Sequence, residues 1–288
     1  MEIKKNELMK NHTSFKIGGP CDEFCEVSSV QEIKELIKYA KDKKIDCTII
    51  GNGSNLLVGD KGIRGLVIKV AKDFSEVSVN KNIIVAQSGV LLSKLANIAL
   101  KNNLSGLEFA SGIPGTLGGA VYMNAGAYGG EMKDVIKKVT YLEAGEIKTA
   151  ENDELMFGYR KSLFTDKEDA VVLTVEMELQ TAENELIKEK MEDYAKRRTS
   201  KQPLSVPSAG STFKRPEGFF AGKLIEDAGL KGYQIGGAQV SEKHSGFVIN
   251  TGDAKAKDVL ELIEYIQKTV FEKFGVKLDT EVKKLGEF

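Results

Sequence analysis

Residues 106–131, GLEFASGIPGTLGGAVYMNAGAYGGE, carry eight glycines among small residues around one proline. Glycine loses more conformational freedom on folding than any other residue, so such a run needs an offsetting gain. Bare backbone supplies one, because its N–H groups can approach a phosphate or carbonyl oxygen without a side-chain clash. Tight turns and packed crossings would account for a single glycine, but less well for this density beside Asn124. Three further segments hold groups able to do chemistry. Arg160, in FGYRKS (157–162), sets a permanently charged guanidinium in an aromatic and glycine setting, where it can hold an anion, polarise a carbonyl or simply stack on a tyrosine. Ser211, in AGSTFKRP (209–216), lies between glycine and threonine. A glycine-flanked serine is commonly a turn residue, and no G-x-S-x-G elbow supports hydrolysis. Glu281, in LDTEV (278–282), places a carboxylate in an expected strand, where a solvated edge charge is the plain alternative.

The chain around these groups is 288 residues long, enough to bury a substantial core and to form two domains. Its 41% hydrophobic and 29% charged residues are ordinary for a globular protein. Lys and Arg number 41 against 42 Asp and Glu, so nothing resembles a nucleic-acid scaffold, and an anionic ligand must be met by locally placed groups. The first residues, MEIKKNELMKNHTSF, lack the apolar core of a secretory signal, and no stretch reaches the roughly 18 apolar residues of a membrane span. A cytoplasmic location and no membrane partner are expected. Cys21, Cys25, Cys47, His12 and His244 are too few and too scattered for a metal site. Cys21 and Cys25 lack the two-residue spacer of common zinc and redox motifs and would point to one side of a strand, as reduced structural thiols. With so little histidine, proton chemistry falls to a hydroxyl, a carboxylate or water.

Apolar positions Val30, Ile33, Leu36, Ile37 and Ala40 predict a helix over 29–44. A strand over 47–50 then runs into Gly51-Asn52-Gly53-Ser54-Asn55, which suggests a βαβ unit with a glycine-rich loop after its second strand. No G-x-G-x-x-G opens a helix there, so the Rossmann fingerprint is absent. Further strands are expected at 66–70, 83–87, 136–143, 170–179 and 246–250, and helices at 91–102, 183–198, 221–228 and 254–274. The prolines and small polar residues of KRRTSKQPLSVPSAGSTFKRP break regular structure. The domain boundary is placed near 182, giving domains 1–182 (subdomains about 1–72 and 73–182) and 183–288, both α+β.

Taken in order, these segments resemble the UDP-N-acetylenolpyruvoylglucosamine reductase family. The resemblance starts at NHTSFKIGGP (11–20). It runs through GNGSNLL (51–57), SGIPGTLGGAVYMNAGAYGGE (111–131), FGYRKS, RRTSKQP (197–203), AGSTFKRP, LIEDAGLKGYQIGGAQVSEKHSGFVIN (224–250) and LDTEVKKLG (278–286). It implies an FAD-binding module of the vanillyl-alcohol oxidase (PCMH) type in two α+β subdomains, followed by an α+β substrate-binding domain. Non-covalent FAD would lie on Ile50, Gly51, Asn52, Gly53, Ser54, Asn55 and Leu56, and on Ser111, Gly112, Ile113, Pro114, Gly115, Gly118, Gly119, Asn124, Ala125 and Gly126. Asn52, Ser54, Asn55 and Ser111 would add side-chain hydrogen bonds and Ile113 an apolar face. NADPH would be the co-substrate and UDP-N-acetylglucosamine enolpyruvate the acceptor, reduced to UDP-N-acetylmuramate for peptidoglycan. Arg160 and Glu281, the latter protonated or sharing a proton, match positions that stabilise the enolate-like intermediate, and Ser211 matches the proton donor. Tyr159, Lys201, Arg215, Lys243 and His244 match or fall near substrate-binding positions, although SEKHS departs from the family pattern. Only about 50 residues separate Arg160 from Ser211, as in the shorter subgroup without an inserted tyrosine loop. A monomer is expected. A flavin-dependent alcohol or sugar oxidase of the same cofactor fold, and a non-catalytic nucleotide-sugar binder, are the competing readings.

Overall fold

The apolar spacing over 29–44 forms helix α1 (Val30–Lys43), which buries Ile33, Leu36 and Ala40. Ser29 caps it by accepting from the Glu32 N–H at 3.2 Å. Lys44, in the left-handed region, ends it. The computed structural model describes residues 1–167 and 169–288. Among them the chain forms two compact units, one of residues 1–2, 25–52 and 68–198, the other of residues 3–24, 53–67 and 199–288.

The first unit is built on a five-stranded antiparallel sheet in the order Glu146–Glu151, Ile136–Glu143, Val171–Glu178, Ile83–Gln87, Val77–Asn80. Alternation places Val139, Val175, Met177 and Ile84 in its core with essentially no exposure. The turn between the first two strands is Ala144-Gly145, with Glu143 paired to Glu146 and both turn residues at positive φ. That geometry matches the right-handed twist of the strands it joins. Helix α2 (Leu92–Lys101) packs Leu92, Leu95, Ala96 and Ala99 into the same core. Helix α3 (Leu117–Tyr122) is formed inside the glycine-rich run, where sequence periodicity assigns none. Its first turn is fixed from outside by the Leu117 N–H on the Val90 carbonyl at 2.8 Å and the Gly118 N–H on the Ser88 carbonyl at 2.7 Å. Helix α4 (Asn184–Lys201) runs three residues beyond the expected end.

The second unit has its own core. Helix α5 (Ala221–Asp227) and helix α6 (Ala256–Phe274) bury Leu224, Ile225, Val259, Leu262, Ile266 and Val270. The antiparallel strands Gln234–Ile235, Ala238–Val240 and Val248–Asn250 belong to this unit. Phe15, Ile17 and Leu57 are buried in the same cluster, which is why N-terminal segments group with the C-terminal region rather than with the chain that adjoins them. The strand Leu56–Val58 pairs in parallel with Lys283–Leu285, and Asp60 caps α6 by accepting from the N–H groups of Ala256 (2.8 Å) and Lys257 (3.0 Å). Close approach fixes Gly62, at φ +86, where a Cβ would lie 1.7 Å from the Pro20 carbonyl oxygen. The expected strand over 278–282 is corrected. Thr280 makes only an isolated bridge to Phe213, and the strand begins at Lys283, so Glu281 precedes it.

Both units mix helices with antiparallel sheet, an α+β architecture. Replacing the α6 cap by Asp60→Ala leaves two first-turn N–H groups unmet and should destabilise the protein by about 1 kcal/mol, read as a lower midpoint in urea with an unchanged slope.

Candidate functional site

In the first unit, the strand Cys47–Ile50 delivers a buried Ile50 and then Gly51 and Asn52. A Cβ at Gly51 would lie 2.3 Å from the Thr116 hydroxyl oxygen, so only glycine admits the second glycine-rich loop there. The Asn52 side-chain amide donates to the Pro114 carbonyl at 2.7 Å and locks the two loops together. Residues 111–115 are folded on the turn Glu108–Ala110. The Ser111 hydroxyl donates to the Glu108 carbonyl at 2.8 Å and the Ile113 N–H to the Ala110 carbonyl at 3.0 Å. Glu108 itself is buried. Burial alone would raise its pKa, but hydrogen bonds from the Ser105 hydroxyl (2.7 Å) and the Gly106 N–H (2.8 Å) hold it below the ordinary value. The N–H groups of Gly112 and Gly115 have no acceptor among the described residues. A loop held this rigidly with unmet donors, and with Gly112, Pro114 and Gly119 exposed, fits an anionic cofactor bound through backbone.

Asn124 is the hub of the following turn. It is fully buried at φ +42. Its amide donates to Glu131 Oε2 (2.9 Å) and the Gly158 carbonyl (3.1 Å), while its Oδ1 accepts from the Lys133 N–H (3.0 Å). Every hydrogen-bonding capacity of the Asn124 side chain but one lone pair is committed inside the protein, so that side chain braces the turn. Through Gly158 it ties the glycine-rich run to the tight turn in which Gly158 and Lys161 exchange backbone hydrogen bonds. Tyr159 and Arg160 are the tip of that turn, Arg160 at φ +56 with Nη2 3.4 Å from the Gly126 carbonyl. Its guanidinium lies 5.1 Å from the Tyr159 ring centroid.

In the second unit, Gly53 lies against the backbone of His12, where a Cβ would be 2.1 Å from the carbonyl oxygen. Ser54 is half-buried, and the Asn55 amide donates to the Glu281 carbonyl at 3.0 Å. The side-chain donors of Asn55, like those of Asn52 and Ser111, therefore brace the loops before they meet any ligand. Sequence reading missed Thr212. It is buried, donates its N–H to the Gly246 carbonyl (2.9 Å), accepts on Oγ1 from the Val248 N–H (2.9 Å) and accepts on its carbonyl from the Glu281 N–H (2.8 Å). Thr212 thus sets Ser211, which follows Gly210 at φ +78, beside the segment carrying Glu281. Its position next to Ser211 was visible in the sequence, but its partners 34 and more residues away were not.

Of the remaining site candidates, Lys201 is exposed, Lys243 donates to the Thr199 carbonyl at 2.6 Å, and Arg215 is exposed with its guanidinium 4.0 Å from the Phe220 centroid. His244 Nδ1 accepts from the Gly246 N–H at 3.1 Å. Burial holds its imidazole below the usual range. Cys21 and Cys47 thiols are both pushed up to about 11, by burial above all. Among the described residues no three metal-ligating side chains cluster. Among the described residues no helix is long and apolar enough to cross a membrane.

The antiparallel α+β fold and the glycine-rich backbone cradle are those of an FAD-binding protein. Residues 22–150 match the model of an FAD binding domain, and a solvent-stable cholesterol oxidase, 15% identical, shares the fold with a TM-score of 0.51 over 62% of this chain and 38% of its own. Residues 202–285 match UDP-N-acetylenolpyruvoylglucosamine reductase, C-terminal domain. The UDP-N-acetylenolpyruvoylglucosamine reductases of Caldanaerobacter subterraneus and Alkaliphilus oremlandii are 58% and 55% identical, each over 98% of this chain and 93% of the relative. The crystal structure of UDP-N-acetylenolpyruvylglucosamine reductase from Thermus caldophilus, 35% identical, superposes with a TM-score of 0.86 over 99% of both chains. The chain belongs to the UDP-N-acetylenolpyruvoylglucosamine reductase family.

Two outcomes follow from the second unit. Thr212→Val leaves the buried Val248 N–H without its acceptor and should cost about 1–3 kcal/mol of unfolding free energy, measured by urea denaturation. His244 binds a proton less readily folded than unfolded, so below about pH 6.5 the unfolded chain takes up a proton that the folded one refuses. Stability should therefore fall as pH drops through that value, and His244→Gln should flatten this part of the profile in thermal melts.

Proposed function

We infer that the protein is a UDP-N-acetylmuramate dehydrogenase, which reduces UDP-N-acetylglucosamine enolpyruvate to UDP-N-acetylmuramate with FAD as cofactor and NADPH as co-substrate, in peptidoglycan precursor synthesis. The observation that carries the reading is the Thr212 junction, which brings a serine hydroxyl and a glutamate carboxylate to adjoining backbone in a chain 58% identical to a named reductase. Bound FAD supplies the two-electron chemistry that links NADPH to the vinyl carbon of the substrate.

Addition at that carbon drives negative charge towards the substrate carboxylate, and the neighbouring carbon must then take a proton. The guanidinium of Arg160 and the side chain of Glu281 are the groups assigned to stabilise the developing enolate. The Ser211 hydroxyl is the proton donor. Serine is a weak acid, so its use depends on a strongly basic enolate and on a hydroxyl held in place, which the Thr212 hydrogen bonds favour. Tyr159, Lys201, Arg215, Lys243 and His244 are the substrate-binding candidates. The functional division follows residues 1–182 for the cofactor and 183–288 for the substrate, with segments 3–24 and 53–67 buttressing the C-terminal unit. A monomer working in the cytoplasm completes the reading.

The test separates two half-reactions. Ser211→Ala should keep bound FAD and its reduction by NADPH while losing most reoxidation by the enolpyruvyl substrate; equal loss of both removes Ser211 as a specific proton donor. Arg160→Lys should lose most turnover, because an ammonium lacks the planar fork. Normal turnover of that variant makes Arg160 structural, and unaltered turnover with Ser211→Ala and Glu281→Gln favours a binder without catalysis. Oxygen consumption with a sugar donor, and none with the enolpyruvyl nucleotide, favours an oxidase.

A further inference from the structure

Near the end of α4, two neighbouring arginines behave differently. Arg197 makes an ordinary surface ion pair with Asp193, one turn back, at 2.7 Å. Arg198 turns instead onto the glycine-rich loop, where a Cβ at Gly112 would lie 3.0 Å from its Cδ and 3.5 Å from its Nη1. No side chain or carbonyl among the described residues accepts a hydrogen bond from it. Arg198 is half-buried, and that desolvation opposes its charge. Tyr128 and Tyr194, stacked at 4.4 Å between centroids, belong to the same neighbourhood, and Tyr128 acts on the charge.

A partly buried cation without a partner costs free energy that some anion must offset. The loop beneath it adds the N–H groups of Gly112 and Gly115, which also lack acceptors. Two backbone N–H groups and a guanidinium, all donors, suit a fully anionic group. The polar edge of an isoalloxazine, which mixes donors with acceptors, is a poorer match. We propose that Arg198 is a cationic anchor for the FAD pyrophosphate, seated on Gly112 so that guanidinium and loop backbone hold the same diphosphate. This rests on the cofactor reading above and adds a residue to it. Gly112 is then required for two reasons, its free N–H and the room it leaves for the arginine stem.

The test is equilibrium binding of FAD to the apoprotein of the wild-type chain, Arg198→Lys and Arg198→Gln, with the melting temperature of each apoprotein and the reduction potential of each bound flavin. Arg198→Gln should weaken FAD binding about ten- to a hundredfold, as loss of a charge-assisted hydrogen bond does. Arg198→Lys should fall between it and the wild type. The Arg198→Gln apoprotein should melt no lower than the wild type, because an unpaired, partly buried charge has been removed, and the flavin potential should be unchanged. FAD affinity within twofold of wild type in Arg198→Gln overturns the proposal. So does a lowered apoprotein melting temperature or failure to fold, which makes Arg198 structural, and so does a fallen potential at unchanged affinity, which puts it at the flavin ring. A wild-type chain that binds no FAD overturns the cofactor reading itself, an outcome distinct from these.

Discussion

Unmet backbone donors must be held in place by everything around them, and this requirement organises the first unit. A loop whose Gly112 and Gly115 N–H groups find no acceptor within the described residues keeps its shape through its remaining hydrogen bonds. Asn52 on Pro114, Ser111 on Glu108, and Gly118 on Ser88 fix it from three directions. Glu108 and Asn124, both buried and hydrogen-bonded, brace the two ends. The side chains of Asn52, Ser111 and Asn124 thus frame the loop through hydrogen bonds within the protein. The glycines matter where that frame is tight, as at Gly51 against Thr116.

In the second unit the proposed roles of Ser211 and Glu281 depend on placement, and the placement of their backbone comes from one buried threonine. Thr212 joins three backbone segments through its N–H, hydroxyl and carbonyl. The same unit ties its distant pieces by other long-range polar contacts, Ser14 to the Ser208 carbonyl and Asn250 to the Phe15 carbonyl. These contacts make the N-terminal segments part of the scaffold that carries Ser211 and Glu281.

Strands at Cys47–Ile50, Ile83–Gln87 and Ile136–Glu143 were legible in the sequence because their apolar runs are bounded by turn residues. Helix α3 was not, since Gly118 and Gly119 have poor helix propensity and the helix depends on Val90 and Ser88 to start it. The short parallel pair of Leu56–Val58 with Lys283–Leu285 carries no local signal at all. The glycine-rich loops and the Arg160, Ser211 and Glu281 segments invite a chemical reading because their residue types are unusual in combination. What each polar group touches was not legible, because Asn52, Asn55, Asn124 and Thr212 find partners through the fold. Arg198 escaped for a related reason: in sequence it is one more basic residue on a charged helix.

The central claim, that these loops hold FAD for reduction of an enolpyruvyl sugar nucleotide, is tested most directly by the visible spectrum of the purified wild-type protein under anaerobic titration. The expected result is a flavin spectrum that bleaches on adding NADPH and returns on adding UDP-N-acetylglucosamine enolpyruvate. A colourless protein that cannot be reconstituted with FAD would contradict the cofactor and the mechanism together, and a flavin that bleaches but does not return would contradict the substrate.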